Sequence, residues 1–179
     1  AAKVVGDEAS LVTDILQDAG YTVVLQPMDF NAVIPSVASG KAQLLFGAVS
    51  ITEERKQSLL FSESDYKSGL VLVVRKAAAG MAAAAGTTSP QDQLTYKPVA
   101  ALNGKPVAVL TGSIFEDVTK KYLPQSTYSQ YNTYADCIEA LKSGKVEGFF
   151  DDEPVARNMP SKDKELRYIH APAVQIQYG

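Results

Sequence analysis

Apolar residues recur along this chain with two alternating periods. Leu11, Val12, Ile15, Leu16 and Ala19 form a helical stripe that stops at Gly20. Residues 21–28, rich in Val and Tyr, then read as a strand. A helix is expected over 31–39, a strand over 43–49, and another helix at Thr52-Glu53-Glu54-Arg55, with Thr52 as N-cap and acids in the first turn. The run LVLVV at 70–74 predicts a strand that crosses from one lobe to another. Beyond it come a strand over 107–110, a helix over 115–122 entered through Thr111-Gly112-Ser113, a helix over 132–142 and a strand over 146–150. Asp152-Glu153-Pro154 opens one more helix. Strands alternating with helices imply an α/β protein with largely parallel sheets.

Part of the pattern is written twice. VIPSVASGKAQLLFGAVS begins at Val33 and CIEALKSGKVEGFFDDEP at Cys137. Each reads as a helix ending in Ser-Gly-Lys, a short apolar strand, and then a small or acidic polar cluster. Gly40 and Gly144 stand where a helix needs a C′ residue at positive φ. Ligands of open α/β sheets gather at the carboxyl ends of strands. Two such units far apart in the chain suggest two lobes whose strand ends face one another, a clamp for a small molecule.

Composition narrows the options. The 179 residues suffice for one good core or two small lobes, and 46% hydrophobic with 21% charged residues is ordinary for a globular protein. A net charge of −3, with lysines and acids interspersed as at Glu116, Asp117, Lys120 and Lys121, leaves no basic footprint for nucleic acid. No apolar stretch nears the ~20 residues that span a bilayer, and no basic-then-apolar leader opens the chain, so it reads as a mature or trimmed form. The alanine-rich segment 77–86 reads as a surface connector. The lone Cys137 falls on the apolar side of its helix and reads as a buried thiol.

Candidate chemistry sits at the ends of the two repeats. Arg55 lies in the first turn of its helix, where a cation opposes the macrodipole. It is either a surface arginine paired with a nearby acid or a fork that grips a carboxylate bidentately. Ser50 ends the preceding strand with Ala48 on the same face, and either alone is an ordinary turn residue. In the second repeat Asp152 is either a helix cap or the acceptor of a ligand ammonium. An arginine on one lobe and an aspartate on the other suit a zwitterion, the chemistry of an α-amino acid. His170, the only histidine, has no nucleophile or metal partner signalled by motif and reads as a surface or strand-edge residue. No metal or cofactor is implied.

Four ordered segments, PMDFNAVIPSVASGK, SITEERKQSLLFSESDYKSGLVLVV, LNGKPVAVLTGS and SGKVEGFFDDEPVA, resemble the extracytoplasmic amino-acid-binding solute receptors of ABC importers, most of all the glutamine-binding type. The resemblance runs over nearly the whole chain. It implies a type II periplasmic-binding-protein fold: lobe 1 over 1–69, incomplete; a hinge crossing strand over 70–76; lobe 2 over 77–170; and the start of a return crossing over 171–179. It further implies a non-enzymatic receptor in the periplasm or held at the cell surface as a lipoprotein, with importer membrane subunits as partners. Residue by residue, Arg55 resembles the arginine that binds the ligand α-carboxylate and Ser50 the hydroxyl that contacts the same ligand. Ala48 matches the residue whose carbonyl receives the α-ammonium, and Asp152 that ammonium's acidic partner. Phe30 resembles the aromatic packed on the ligand side chain, although the residue alone reads as a core aromatic. Ser113, followed by Ile114 at a helix entry, resembles the second lobe's carboxylate site.

The departures are specific. The family strand and loop that precede the segment matching Lys3 to Leu11 have no counterpart, nor do its last strand and helices. Leu110 stands where glutamine receptors carry a lysine, Ile114 where they carry glycine, and Asp65 replaces one of a tyrosine pair. A lobe lacking strands can recruit them by exchange with another chain. Two alternatives stay open: a sensory module of the same fold attached to a membrane receptor or kinase, and a catalytic relative that uses the acids at 151–153 on an amino-acid-like substrate.

Overall fold

The computed structural model describes residues 4, 6–64, 66–76, 97–158 and 163–179. Asp65 and the connector expected over 77–86 lie outside the described residues. The chain divides into two compact units, Ala1–Tyr66 with Gln177–Gly179, and Lys67–Ile176. It passes between them inside two strands, β1 (Tyr66–Arg75) and β5 (Leu166–Tyr178).

In the second unit the alternating pattern becomes a five-stranded sheet of order β3-β2-β4-β1-β5, with β2 at Val107–Leu110, β3 at Tyr128–Tyr131 and β4 at Gly148–Asp152. β2 runs parallel to both β3 and β4, while β1 is antiparallel to β4, with Val71 opposite Asp151 and Leu70 opposite Asp152. The unbroken apolar run of β1 has its cause here: Leu70 through Val74 are all buried, because helices cover both faces of the sheet. Helices α4 (Phe115–Tyr122) and α5 (Tyr134–Lys142) provide most of that cover. On the α5 side Val71, Val73, Ala108 and Phe149 pack with Cys137, Ala140 and Leu141. On the α4 side Phe150 meets Tyr122 with ring centroids 6.4 Å apart. A four-residue helix, α3 (Lys97–Ala100), and α6 (Glu153–Arg157) complete the unit.

The predicted elements of this unit appear with small shifts. The helix expected from 132 begins at Tyr134 because Thr133 is its cap, accepting the Asp136 amide at 3.1 Å. The strand β3 had no expectation behind it. Its sequence, Tyr-Ser-Gln-Tyr, is short, polar and largely exposed, as befits a sheet edge. Cys137 is buried as expected, and burial pushes its thiol up to about 12.

The first unit holds α1 (Asp7–Asp18), α2 (Phe30–Ala38) and a single 3-10 turn at Arg55–Gln57. Thr52 caps that turn, accepting the Arg55 amide at 3.1 Å, but the full helix expected after it does not form. The strands expected over 21–28 and 43–49 also do not form. A strand exists only where a neighbour takes its backbone groups, and among the described residues these segments have no ladder partner. Pro27 further removes a donor from the first of them. Their alternating apolar residues are consequently exposed, Val24 at 75% and Leu44 at 50%. Among the described residues of this unit the single pairing is a bridge between Ser50 and Tyr178, extended by the Ile51 amide on the Gln177 carbonyl at 2.8 Å.

The two copies of the Ser-Gly-Lys motif end their helices in the same way. Gly40 and Gly144 take φ of 75° and 78°. The Ala42 amide reaches back to Ser36 at 3.1 Å, as the Val146 amide reaches Ala140 at 3.2 Å. In the second copy Arg75 adds a cation at the helix end, bonding the carbonyls of Leu141 and Val146 and the Glu147 carboxylate.

Gly148 marks the tightest approach in the sheet. A Cβ there would lie 2.9 Å from the Val73 carbonyl oxygen and 2.9 Å from Leu102 Cδ1. Gly148→Ala is expected to lower stability by about 1–3 kcal/mol, read by urea denaturation. A variant as stable as the parent would show that β1 and β4 separate freely at this point.

Candidate functional site

Three of the candidate residues converge in the first unit. Arg55 is 9% exposed, and its Nη1 donates to the Ser50 carbonyl at 2.9 Å. Its guanidinium carbon stands 5.8 Å from the centre of the Phe30 ring, within cation–π range. Phe30 opens α2 and is half-buried, so its ring forms a wall for the guanidinium instead of filling the core. Arg55 is thus not a surface residue: its side chain is buried, with an aromatic face and a carbonyl among its neighbours.

The backbone that presents Ser50 is held from two directions. Tyr178 bridges Ser50 itself, and the Tyr178 ring stacks on Tyr66 at 6.3 Å. Upstream, the Gly47 amide donates to Glu8 Oε1 at 2.8 Å and the Ala48 amide to Glu8 Oε2 at 3.2 Å. Ala48 takes φ of 52°, the left-handed region that an alanine enters only when its surroundings impose it. Glu8 carries no motif that would have singled it out. Its role emerges only when α1 is folded beside the 47–48 turn.

The second unit places its candidates at two strand ends. Ser113 follows β2; its hydroxyl donates to the Leu110 carbonyl at 2.6 Å and accepts the Phe115 amide at 3.2 Å. It thus shapes the entry to α4, with Ile114 half-buried at the N-cap position. Leu110 is buried at 4% exposure.

Asp152 ends β4 and is 6% exposed. It occupies the N-cap position of α6, yet its side chain makes no capping hydrogen bond, so helix capping does not account for its carboxylate. Its backbone amide is bonded instead by Asp151 Oδ1 at 2.8 Å. Asp151 is fully buried, and its Oδ2 has no hydrogen-bond partner. Strand alternation explains the burial: Asp151 shares a face with Phe149 and turns under α5, where Tyr134 and Cys137 face it. Burial pushes its carboxyl from 3.8 up to about 8; the Asp152 amide pulls against the shift, the Asp152 charge adds to it, and the Tyr134 phenol opposes it weakly. The Tyr134 phenol is itself raised, by burial first and then by the charges of Asp151 and Asp152.

His170 lies 4.0 Å from Glu153, which is bonded by Arg157 at 2.6 Å. Among the described residues no group of three His, Cys, Asp or Glu side chains could hold a metal ion, and no helix is long and apolar enough to cross a membrane.

Residues 1–171 match the bacterial extracellular solute-binding proteins, family 3. The chain is 26% identical over 176 residues to the arginine-binding extracellular protein ArtP of Bacillus subtilis, covering 97% of this chain and 63% of that protein. It is 24% identical over 179 residues to a glutamine-binding protein of Geobacillus stearothermophilus, covering 100% of this chain and 58% of that protein. It therefore spans about three fifths of the length of these relatives. Among solved structures, the amino acid ABC transporter substrate-binding protein AbpA of Streptococcus pneumoniae, bound to L-arginine, superposes with a TM-score of 0.82 at 30% identity, over 98% of this chain and 69% of that one. Holo ArgBP of T. maritima gives 0.81 at 28% identity, over 99% of this chain and 72% of that one.

The burial of Asp151 sets a pH dependence of stability. Its folded carboxyl titrates near 8 and its unfolded one near 3.8, so between those values the native state holds a proton that the unfolded state has lost. The stability contributed by this group falls as pH rises through that window, by about 1.4 kcal/mol per unit at most. Asp151→Asn removes the slope, and its stability relative to the parent is expected to climb from about pH 5 to pH 8 in urea denaturation. Parallel pH profiles for the two proteins would mean that Asp151 titrates as an ordinary carboxyl.

Proposed function

The chain belongs to the bacterial extracellular solute-binding proteins, family 3, and on that premise we propose that it binds an α-amino acid outside the cytoplasm for delivery to an ABC-type importer, without turnover. The observation that carries this reading is the setting of Arg55. A guanidinium buried against Phe30 and anchored by one nitrogen to the Ser50 carbonyl is fixed in orientation. Such a fork recognises a carboxylate in its plane by two parallel charge-assisted hydrogen bonds. Partial removal from water strengthens those bonds relative to an exposed pair.

Taken by itself, the second unit holds a carboxylate at a strand end, Asp152, and a carboxylate suits the cationic half of an amino acid. In the first unit the Ala48 carbonyl, set by the turn that Glu8 holds, suits the same kind of group. Phe30 and Ile114 offer apolar surface to a ligand side chain, and Ser113 lies at the α4 entry. The relatives' names, arginine-, histidine- and glutamine-binding, support an amino acid with a polar or basic side chain. Leu110, apolar and buried, supplies no cation to that side chain, which weighs towards the basic members of this set.

Isothermal titration calorimetry against arginine, histidine and glutamine is the direct test. Saturable binding of at least one is expected; no heat from a folded sample with any of the three would overturn the reading. Arg55→Ala is expected to weaken that binding about a hundredfold or more, with the far-ultraviolet circular dichroism unchanged. An unaltered Kd would remove Arg55 from the site. Asp152→Asn is expected to weaken binding of the amino acid but not of its analogue lacking the α-amino group. Equal losses for both ligands would give Asp152 another role.

A further inference from the structure

Beneath the candidate amine acceptor lies a second carboxyl that the proposed binding chemistry does not use. Asp151 is fully buried, its Oδ1 takes the backbone amide of Asp152 at 2.8 Å, and its Oδ2 is buried without a hydrogen-bond partner. We propose that Asp151 is a positioning residue for amine recognition: it stands in the free protein as a neutral carboxylic acid, fixes the Asp152 backbone, and yields its proton when a ligand ammonium settles on Asp152. The inference rests on the reading of Asp152 as the ammonium acceptor.

The surroundings supply the reason. Across β1, Asp151 faces Val71, and Asp152 faces Leu70, so the neighbouring strand brings no charge. From α5 come the Tyr134 phenol and the Cys137 thiol, both raised by burial and by the Asp151 charge and hence neutral near pH 7. On α6 the nearest acid is Glu153, engaged by Arg157 at 2.6 Å and 4.0 Å from His170 of β5. Tyr168, also of β5, packs on the apolar cluster below. The charge that bears on Asp151 from its own strand is that of Asp152, an anion one residue away. Two adjacent carboxylates, one without water, do not both ionise readily.

An ammonium on Asp152 reverses that balance. It places a cation close to Asp151, which favours the charged form of the buried carboxyl. Asp151 loses its proton to bulk water, and the added negative charge in turn holds the ammonium more firmly. Protein, ligand and solvent balance: one amine cation enters, up to one proton leaves. By linkage, affinity rises with pH wherever the bound form carries fewer protons than the free one. Asp151 also restricts the acceptor mechanically, since its Oδ1 fixes the amide from which the Asp152 side chain projects.

The test is calorimetry of the full chain with L-arginine and L-glutamine at about pH 7.5 in buffers of differing ionisation enthalpy. The slope of observed heat against buffer enthalpy counts protons exchanged. Release of a measurable fraction of a proton is expected, with a Kd that tightens about three- to tenfold between pH 6.5 and 8.5. The arginine analogue lacking the α-amino group is expected to release none. Asp151→Asn, which keeps an oxygen for the Asp152 amide, is expected to bind with neither proton release nor pH dependence in that range.

Binding with a zero slope, or with proton uptake, overturns the inference and leaves the amino-acid reading intact. Proton release that persists in Asp151→Asn overturns it too. Absence of any saturable heat from the folded parent overturns the amino-acid reading, and this inference with it. If the Asn variant does not fold, carbon-13 titration of the aspartate carboxyls in the free parent decides independently. One carboxyl still protonated at neutral pH is expected, and ordinary titration of every aspartate overturns the proposal.

Discussion

A strand covered on both faces has nowhere to leave a charge, and β4 ends in two carboxylates. That constraint organises the second unit. Phe149 and Phe150 commit the strand to burial on its α5 and α4 sides, and the chain has only the strand end at which to return to water. Asp152 stands at that end and keeps 6% of its surface exposed; Asp151, one residue earlier, keeps none, and the alternation of the strand turns it under α5. Moving an ionised carboxylate into such a setting without a cation is so unfavourable that the group keeps its proton instead. The two acids are chemically identical and adjacent in the chain, and environment alone sets them apart.

The first unit solves a related problem with a cation. Arg55 has left water, and its guanidinium is compensated by the Ser50 carbonyl and the face of Phe30. The carbonyl acts through its dipole and the ring through its quadrupole. The same segment is anchored at Ser50 by Tyr178 and at Gly47 and Ala48 by Glu8, so the fork and the nearby carbonyls keep a fixed geometry. Fixing polar groups before a ligand arrives lowers the entropy lost on binding.

Local signals made most of this legible. The periodicity of 107–110, 115–122 and 132–142 gave elements that recur within two residues, because each is short and belongs to, or packs on, a sheet formed by the same chain. The strands expected over 21–28 and 43–49 had equally good local patterns and do not form. Pattern reports what a segment could pair with, and pairing needs a partner that the described residues of the first unit lack. The strand β3 went unseen for the opposite reason: its polar sequence hides a real pairing to β2 at the sheet edge. Arg55, Ser50, Phe30 and Asp152 stood out as candidates through motifs that resemble those of a known family. Burial removed Arg55 from the surface and left Phe30 half-buried, neither of which spacing alone could say. Asp151 was visible only as one letter in an acidic cluster, although its even spacing from Phe149 was a usable sign that it turns inward.

The repeated motif shows how one backbone solution accommodates two chemistries. Ala48 and Asp152 each fall eight residues after the glycine that ends the preceding helix. At both positions the backbone amide donates to a carboxylate oxygen, Glu8 Oε2 at 3.2 Å in the first copy and Asp151 Oδ1 at 2.8 Å in the second. An amide left unpaired where water is partly excluded is costly, so each copy must find it an acceptor. The first imports one from α1. The second takes it from the preceding side chain, which frees that position from any need for a distant helix and puts a carboxyl into the interior. The first arrangement yields a turn whose own side chains are small. The second yields a strand end that carries two acids. The two copies of the helix–glycine unit thus diverge in the source of a single hydrogen-bond acceptor.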